Sequence, residues 1–237
     1  MSTLSNLIPT TPSYEITLPS DGSKIEFRPF LVKEEKILLI ASESKNEKEM
    51  VRAIQDVVSA CTFGKLNMSS APMVDIEYLF LKIRSKSVGE SAKPTLKCKK
   101  CSKLNTLEIN LDTIEAEKSP EHNKKIEISK NVIIEMRYPK FSDVELIQNV
   151  NTDAEKLVNM MAVCIEKIYT PENTFNTKEL STKEVIEFID NLTQVQFRML
   201  TKFFETMPQV TKKVDYKCKH CGSDESITLR GAQDFFS

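Results

Sequence analysis

Apolar residues along this chain recur at two spacings, and the two take turns. Met50, Ile54, Val57 and Cys61 fall at helical spacing within "SKNEKEMVRAIQDVVSACT", residues 44–62. Leu157, Met161, Cys164 and Ile168 do the same 107 positions later, in "TDAEKLVNMMAVCIEKIYT". One buried stripe on each of two helices explains both sets. Further helical stretches are expected in "LVKEEKILLIAS" (31–42), "MVDIEYLFLKIRSKS" (73–87), "FSDVELIQNV" (141–150), "STKEVIEFIDNL" (181–192) and "LTQVQFRMLTKFFETM" (192–207). Ser44 with Glu47, Ser142 with Glu145, Thr152 with Glu155 and Ser181 with Glu184 read as capping-box starts. The other spacing is strict alternation. Leu107, Ile109 and Leu111 show it, as do Val214, Tyr216, Ile227 and Leu229, and both sets predict strands beside a C-x-x-C pair.

The order of these elements is doubled. "IEFRPF" (25–30) is echoed by "IEMRYP" (134–139), each a short extended run closed by a proline, which holds the preceding residue extended. Helices follow each run, and each series ends in a C-x-x-C hairpin; the stretch at 181–192 is an extra helix in the second series. The expected fold class is α+β and helix-rich, with two pseudo-repeated halves (strand, helices, C-x-x-C β-hairpin) joined by a four-cysteine zinc site. The expected boundaries are an N-terminal segment 1–13, a first half 14–118, a linker 119–125 around Ser119-Pro120, and a second half 126–237, together one compact unit.

The cysteines change the picture most. A C-x-x-C pair supplies two thiolates, and tetrahedral zinc wants four ligands. Cys98 and Cys101 would join Cys218 and Cys221 around one Zn2+ if the two hairpins meet, although 116 residues separate the pairs. Lys97, Lys99, Lys100, Lys217, Lys219 and His220 would offset the charge of four thiolates. Four thiolates leave no open position for water, so such a site is structural. A thioredoxin-type dithiol needs its cysteine at a helix N-terminus, and strands flank both pairs here. Cys61 and Cys164 lie on apolar stripes and read as core. His122, in the polar "SPEHNKK", is expected to face solvent.

A formal charge of -1 argues against binding nucleic acid or anionic lipid through the net field. The longest apolar runs, "ILLIA" (37–41) and "MMAVCI" (160–165), are too short to span a membrane. The start lacks the basic and apolar regions of a signal peptide, so the cysteines are expected to be reduced. With five glycines there is no P-loop and no dinucleotide fingerprint, and no nucleophile motif is present, so no enzyme is expected. Phe235 and Phe236, in the terminal "GAQDFF", are candidates for insertion into a partner, or for packing on their own domain.

The run "YEITLPSDGSKIEFRPFLVKEEKILLIASESKNEKEM", followed by "DIEYLFLKIRSKSVGE" and the two C-x-x-C hairpins, resembles the T4-type bacteriophage baseplate protein family. The resemblance covers most of the chain and is strongest over residues 14–101. It implies a non-enzymatic hub component or hub-assembly factor of the contractile tail baseplate, whose partners are other hub or tail subunits. It places the protein in the host cytoplasm during assembly, or in the virion tail baseplate. The alternative class is a zinc-ribbon nucleic-acid-binding module, set back by the shortage of stacking aromatics around the hairpins.

Overall fold

The computed structural model describes residues 10–147 and 152–235. The first stretch runs β1 (Tyr14–Thr17), β2 (Lys24–Phe27), α1 (Val32–Ser44), α2 (Glu47–Cys61) and α3 (Met73–Val88). Short strands follow: β3 (Ser91–Ala92), β4 (Thr95–Lys97), β5 (Leu104–Thr106), β6 (Ile109–Asn110) and β7 (Ala116–Glu117). Then come β8 (Lys125–Ser129), β9 (Val132–Met136), α4 (Phe141–Ile147), α5 (Asp153–Cys164), β10 (Ile165–Tyr169) and β11 (Thr174–Asn176). The chain continues through α6 (Thr182–Asp190), α7 (Gln194–Thr206), β12 (Gln209–Lys217) and β13 (Asp224–Arg230). Helix and strand are thus mixed, as expected. No helix among the described residues is long and apolar enough to cross a membrane.

These elements form two compact units that do not follow the division read from the sequence. One gathers the described residues up to Met68, Val74–Ala116 and those from Val210 onward; the other comprises Ser69–Met73 and Glu117–Gln209. The first unit is built on α3. Val74, Ile76, Tyr78, Leu79, Phe80, Leu81 and Ile83 are all buried, so this helix is apolar around most of its circumference. Its buried Asp75 is satisfied by Ser20, which donates its amide at 3.0 Å and its hydroxyl at 2.5 Å. The C-terminal segment closes onto the same helix. Gly231 has a φ of 64°, and a Cβ there would sit 3.2 Å from Glu77 Oε1, so this approach depends on glycine. Phe235 is 1% exposed, which corrects its reading as a residue offered to a partner; Phe236 lies outside the described residues.

The second unit is an antiparallel sheet of order β11-β10-β9-β8 with α5, α6 and α7 supplying the rest of its core. Ile134, Met136, Met161, Cys164, Ile165, Val185, Ile189, Leu200 and Phe203 are buried there. Three expectations need correcting in this unit. Ile168 is not on a helix: α5 ends at Cys164, and Ile165–Tyr169, with isoleucines at 165 and 168 and a terminal tyrosine, pairs with β9 as a strand. Nor does His122 face solvent. Its ring stacks 5.5 Å from Tyr138 and 5.0 Å from Phe203, with Nδ1 3.0 Å from the Thr206 hydroxyl. Ser142 lies inside α4, whose first turn is capped instead by Asp143 accepting from the Lys140 amide at 2.8 Å; the Glu145 side chain is outside the described residues. In the first unit, likewise, α2 is capped by Asn46 and not by Ser44. Thr152 and Ser181 do cap α5 and α6.

Each unit contains the same local network at the end of its first hairpin. Arg28, just after β2, donates to Glu34 Oε1 at 2.9 Å and to the Pro29 carbonyl at 2.9 Å, while its amide donates to the Cys61 carbonyl at 2.9 Å. Glu34 in turn accepts from the Leu31 amide at 2.7 Å. Arg137, just after β9, donates to both Asp143 oxygens at 2.7 and 2.9 Å and to the Tyr138 carbonyl at 3.2 Å; its amide donates to the Cys164 carbonyl at 2.8 Å. In each case the carboxylate is buried, stands six residues after the arginine and caps the following helix. Burial alone would raise the Glu34 carboxyl, but the Arg28 guanidinium and the Leu31 amide outweigh it and hold it below its ordinary value.

Removing either carboxylate leaves a largely buried guanidinium unpaired. Glu34→Ala and Asp143→Ala should each cost about 3–5 kcal/mol in urea unfolding. Loss of the exposed Lys65–Glu26 pair should change the unfolding midpoint far less, because solvent screens it. A pH titration should expose a second group. Burial pushes the Glu77 carboxyl up to about 7. The folded state therefore holds a proton that the unfolded state has released, and stability should fall as pH rises from about 4.3 through 7. Glu77→Gln should flatten that slope, read as thermal midpoints across the pH series.

Candidate metal centre

Two hairpins carry the cysteine pairs, and the backbone treats them alike. The β4–β5 ladder closes at Lys97 opposite Leu104, and the β12–β13 ladder at Lys217 opposite Asp224. In the first, the Cys98 amide donates to the Lys103 carbonyl and the Ser102 amide to the Cys98 carbonyl, both at 2.9 Å. In the second, the Cys218 amide donates to the Ser223 carbonyl and the Gly222 amide to the Cys218 carbonyl, again at 2.9 Å. The residue after the second cysteine is left-handed in both, Ser102 at φ 59° and Gly222 at φ 70°. A turn of this shape points the two sulfurs of a C-x-x-C pair to one side.

All four sulfurs converge within the first unit. Cys101 and Cys218, 117 positions apart, have their sulfurs at 3.7 Å; Cys98 and Cys221 have theirs at 3.8 Å. The four ligand atoms lie within 4.8 Å of one another. A tetrahedron of thiolates about 2.3 Å from a zinc-sized ion has edges of about 3.8 Å. The donor set and its spacing therefore fit a metal ion, and the chain's four sulfurs would hold it. Cys98 and Cys218 are buried, Cys101 is half-buried and Cys221 is exposed. Neither pair opens a helix, as a dithiol oxidoreductase would require.

The hairpins also dock through polar contacts that spacing alone did not reveal. Asn105, on β5, is buried; it accepts from the Lys219 amide at 2.9 Å and donates to Cys218 Sγ at 3.5 Å. One side chain thus satisfies a backbone amide of the opposite hairpin and supports a ligand sulfur. His220 Nε2 lies 3.1 Å from the Leu104 carbonyl, which turns the ring into a brace and away from the ligand set. Ser223 and Glu225 approach Cys98 at 3.5 and 3.2 Å. Lys97, Lys99, Lys100, Lys217 and Lys219 all have exposed side chains around the site.

The sulfurs are electrostatically unequal. Burial acts to raise Cys218, but the amides of His220 and Cys221 and the Asn105 side chain outweigh it, and the thiol is held down at about 6. At Cys101 the Lys103 amide favours the thiolate, yet burial and the three other sulfurs prevail and push it up to about 12. Four thiols this close cannot all ionise without a cation among them. A metal ion held by the tetrad would take the place of those protons.

A family model described as T4 bacteriophage base plate protein matches residues 11–237, a span that takes in both cysteine hairpins. The chain belongs to that family. No curated protein and no solved structure shows a detectable match to it. As a base plate protein it is a phage structural component, and its four-cysteine cluster is the group of metal-ligand type among its described residues. The baseplate match agrees with the resemblance read from the sequence, which covers most of the chain and is strongest over residues 14–101.

Stripping the metal from this base plate protein should unfold the unit that houses the site, because binding free energy is folding free energy when the unfolded chain has no site. A strong chelator should lower the melting transition by a margin that restoring the metal reverses. Cys218→Ser should reproduce the loss permanently. Asn105→Ala should keep the fold at saturating metal but weaken affinity about 10–100-fold, as competition with a chromophoric chelator will read.

Proposed function

We propose that this protein is a non-enzymatic structural or assembly component of the contractile-tail baseplate hub, acting through contacts with other hub or tail subunits. The observation that carries this reading is a family match over nearly the whole chain. The chemistry of the molecule agrees with it. Its constellation of reactive side chains, among the described residues, is a closed tetrad of sulfurs, which offers a metal no vacant position for substrate. The ion is Zn2+, bound by Cys98, Cys101, Cys218 and Cys221: an all-thiolate tetrahedral set selects zinc or an iron–sulfur centre, and the sulfur edges of 3.7 and 3.8 Å are those of a single small ion. The protein acts in the host cytoplasm while the tail is built, either as a subunit that stays at the virion baseplate or as a factor that leaves it.

The chain is, on this reading, an internal duplication of residues 14–118 and 126–237 with a linker at 119–125. The paired Arg28–Glu34–Cys61 and Arg137–Asp143–Cys164 networks support it, as do the matched turns at Cys98 and Cys218. The β10–β11 hairpin and α6 are insertions in the second half. The final hairpin of that half then belongs to the compact unit of the first, and the zinc ion fastens it there.

Elemental analysis of protein purified without chelator should find about one zinc ion per chain. Iron in its place, or no metal, rejects the zinc assignment. Affinity capture of the tagged full chain from infected cells should recover baseplate hub or tail proteins. Recovery of phage or host nucleic acid without tail proteins would instead favour a nucleic-acid-binding zinc ribbon using the exposed lysines around the site. Proteomics of purified virions will distinguish a resident subunit from a factor that leaves after assembly.

A further inference from the structure

Helix α1 is apolar on two faces, and only one of them is used. Glu34 and Ala41 are buried on one side. On the other, Val32, Leu39 and Ile40 are 67%, 56% and 68% exposed, the largest such cluster on a single helix among the described residues. Lys36 and Glu43 share this outer face, since positions three, four and seven apart on a helix lie in one sector. Both are exposed, and neither forms an ion pair among the described residues. A solvated helix would carry polar residues here, so the outer face reads as a surface awaiting a partner.

The order of residues along the face identifies the partner. Lys36 stands three residues before Leu39, and Glu43 stands three residues after Ile40. The face is therefore cation, two large apolar side chains, anion, with its midpoint at the Leu39–Ile40 step. A second copy laid antiparallel across that midpoint puts Lys36 opposite Glu43 of the other copy, and Glu43 opposite its Lys36. Leu39 of each copy then faces Ile40 of the other. A two-fold contact must be self-complementary in this sense. A parallel arrangement would set lysine on lysine and glutamate on glutamate.

We propose that α1 is a self-association surface, joining two copies of this chain by an antiparallel α1–α1 contact about a two-fold axis at the Leu39–Ile40 step. This goes beyond the baseplate role and requires neither the zinc ion nor the duplication. One face of a 13-residue helix is small beside a standard interface. The dimer is accordingly weak, and is suited to an assembly in which local concentration is high.

Sedimentation equilibrium of the metal-loaded full chain, from about 5 to 500 μM, tests this directly. The expected result is a reversible monomer–dimer equilibrium. Lys36→Glu and Glu43→Lys should each weaken it about tenfold, because each turns two attractions into two repulsions. The double variant Lys36→Glu/Glu43→Lys should restore it. Ile40→Asp should abolish the dimer, and circular dichroism should show all four variants folded. A wild-type chain that stays monomeric throughout the range overturns the proposal. So does a dimer indifferent to both charge reversals, or a double variant no better than the singles. If the chain is monomeric while Ile40→Asp loses capture of tail proteins, the face belongs to a different subunit and self-association falls.

Discussion

Four sulfur atoms drawn within 4.8 Å of one another are the constraint on which the rest of this molecule depends. They come from two hairpins more than 100 positions apart, so bringing them together closes a long loop of chain. Such closure is entropically costly in the unfolded state, and a cross-link that enforces it is worth about 4–5 kcal/mol over roughly 100 residues in the chain-entropy view. Thiolates this near one another repel, so a cation among them would stabilise the arrangement. Nearly all of the second unit, Glu117–Gln209, is strung within the loop that the sulfurs close. The chain leaves the first unit after Ala116 and re-enters it at Val210, on the strand that leads to Cys218 and Cys221.

Around this closure the molecule relies on a few polar contacts made in the interior. Asn105 ties one cysteine hairpin to the other through an amide and a sulfur at once. The two arginine–carboxylate pairs sit where a strand gives way to a helix, and each carboxylate serves both the guanidinium and a helix-capping amide. Buried charges are tolerated only when their hydrogen bonds are complete, and here they are shared among backbone and side chain. The buried Cys61 and Cys164 complete the same corners. Burial raises both thiols, to about 11 and about 12, so they are inert packing and separate in kind from the tetrad.

For a component of a large assembly, this division of labour is informative. The four-cysteine cluster looks inward: its sulfurs face one another across two hairpins of the first unit. Contacts with other subunits must then come from the surface. Phe235 is not available for them, since it is already buried in its own unit. The outer face of α1 is better suited, because its hydrophobic side chains are exposed between opposite charges.

The sequence by itself determined what is local. Periodicity placed α2, α3, α6 and α7, Thr152 and Ser181 marked two helix starts, and alternation at Val214, Tyr216, Ile227 and Leu229 marked the second cysteine hairpin, because propensity, capping and side-chain direction act over a few neighbours. The alternation at Leu107, Ile109 and Leu111 did not mark the first: Leu107 lies between strands, Ile109 pairs with β3 and Leu111 opens a 3-10 turn, while the hairpin itself is β4–β5. The tertiary structure decided what depends on residues far apart in the chain. It turned Ile165–Tyr169 into a strand, since β9 offered a partner that an isolated helical stripe could not anticipate. It set half-buried His122 against Tyr138 and Phe203, and buried Phe235 within the first unit. It also enlisted Asn105, which nothing in "KLNTLE" distinguishes from any polar strand residue. C-x-x-C spacing announces two ligands at a time, but joining two pairs requires long-range packing to supply the proximity that no short stretch encodes.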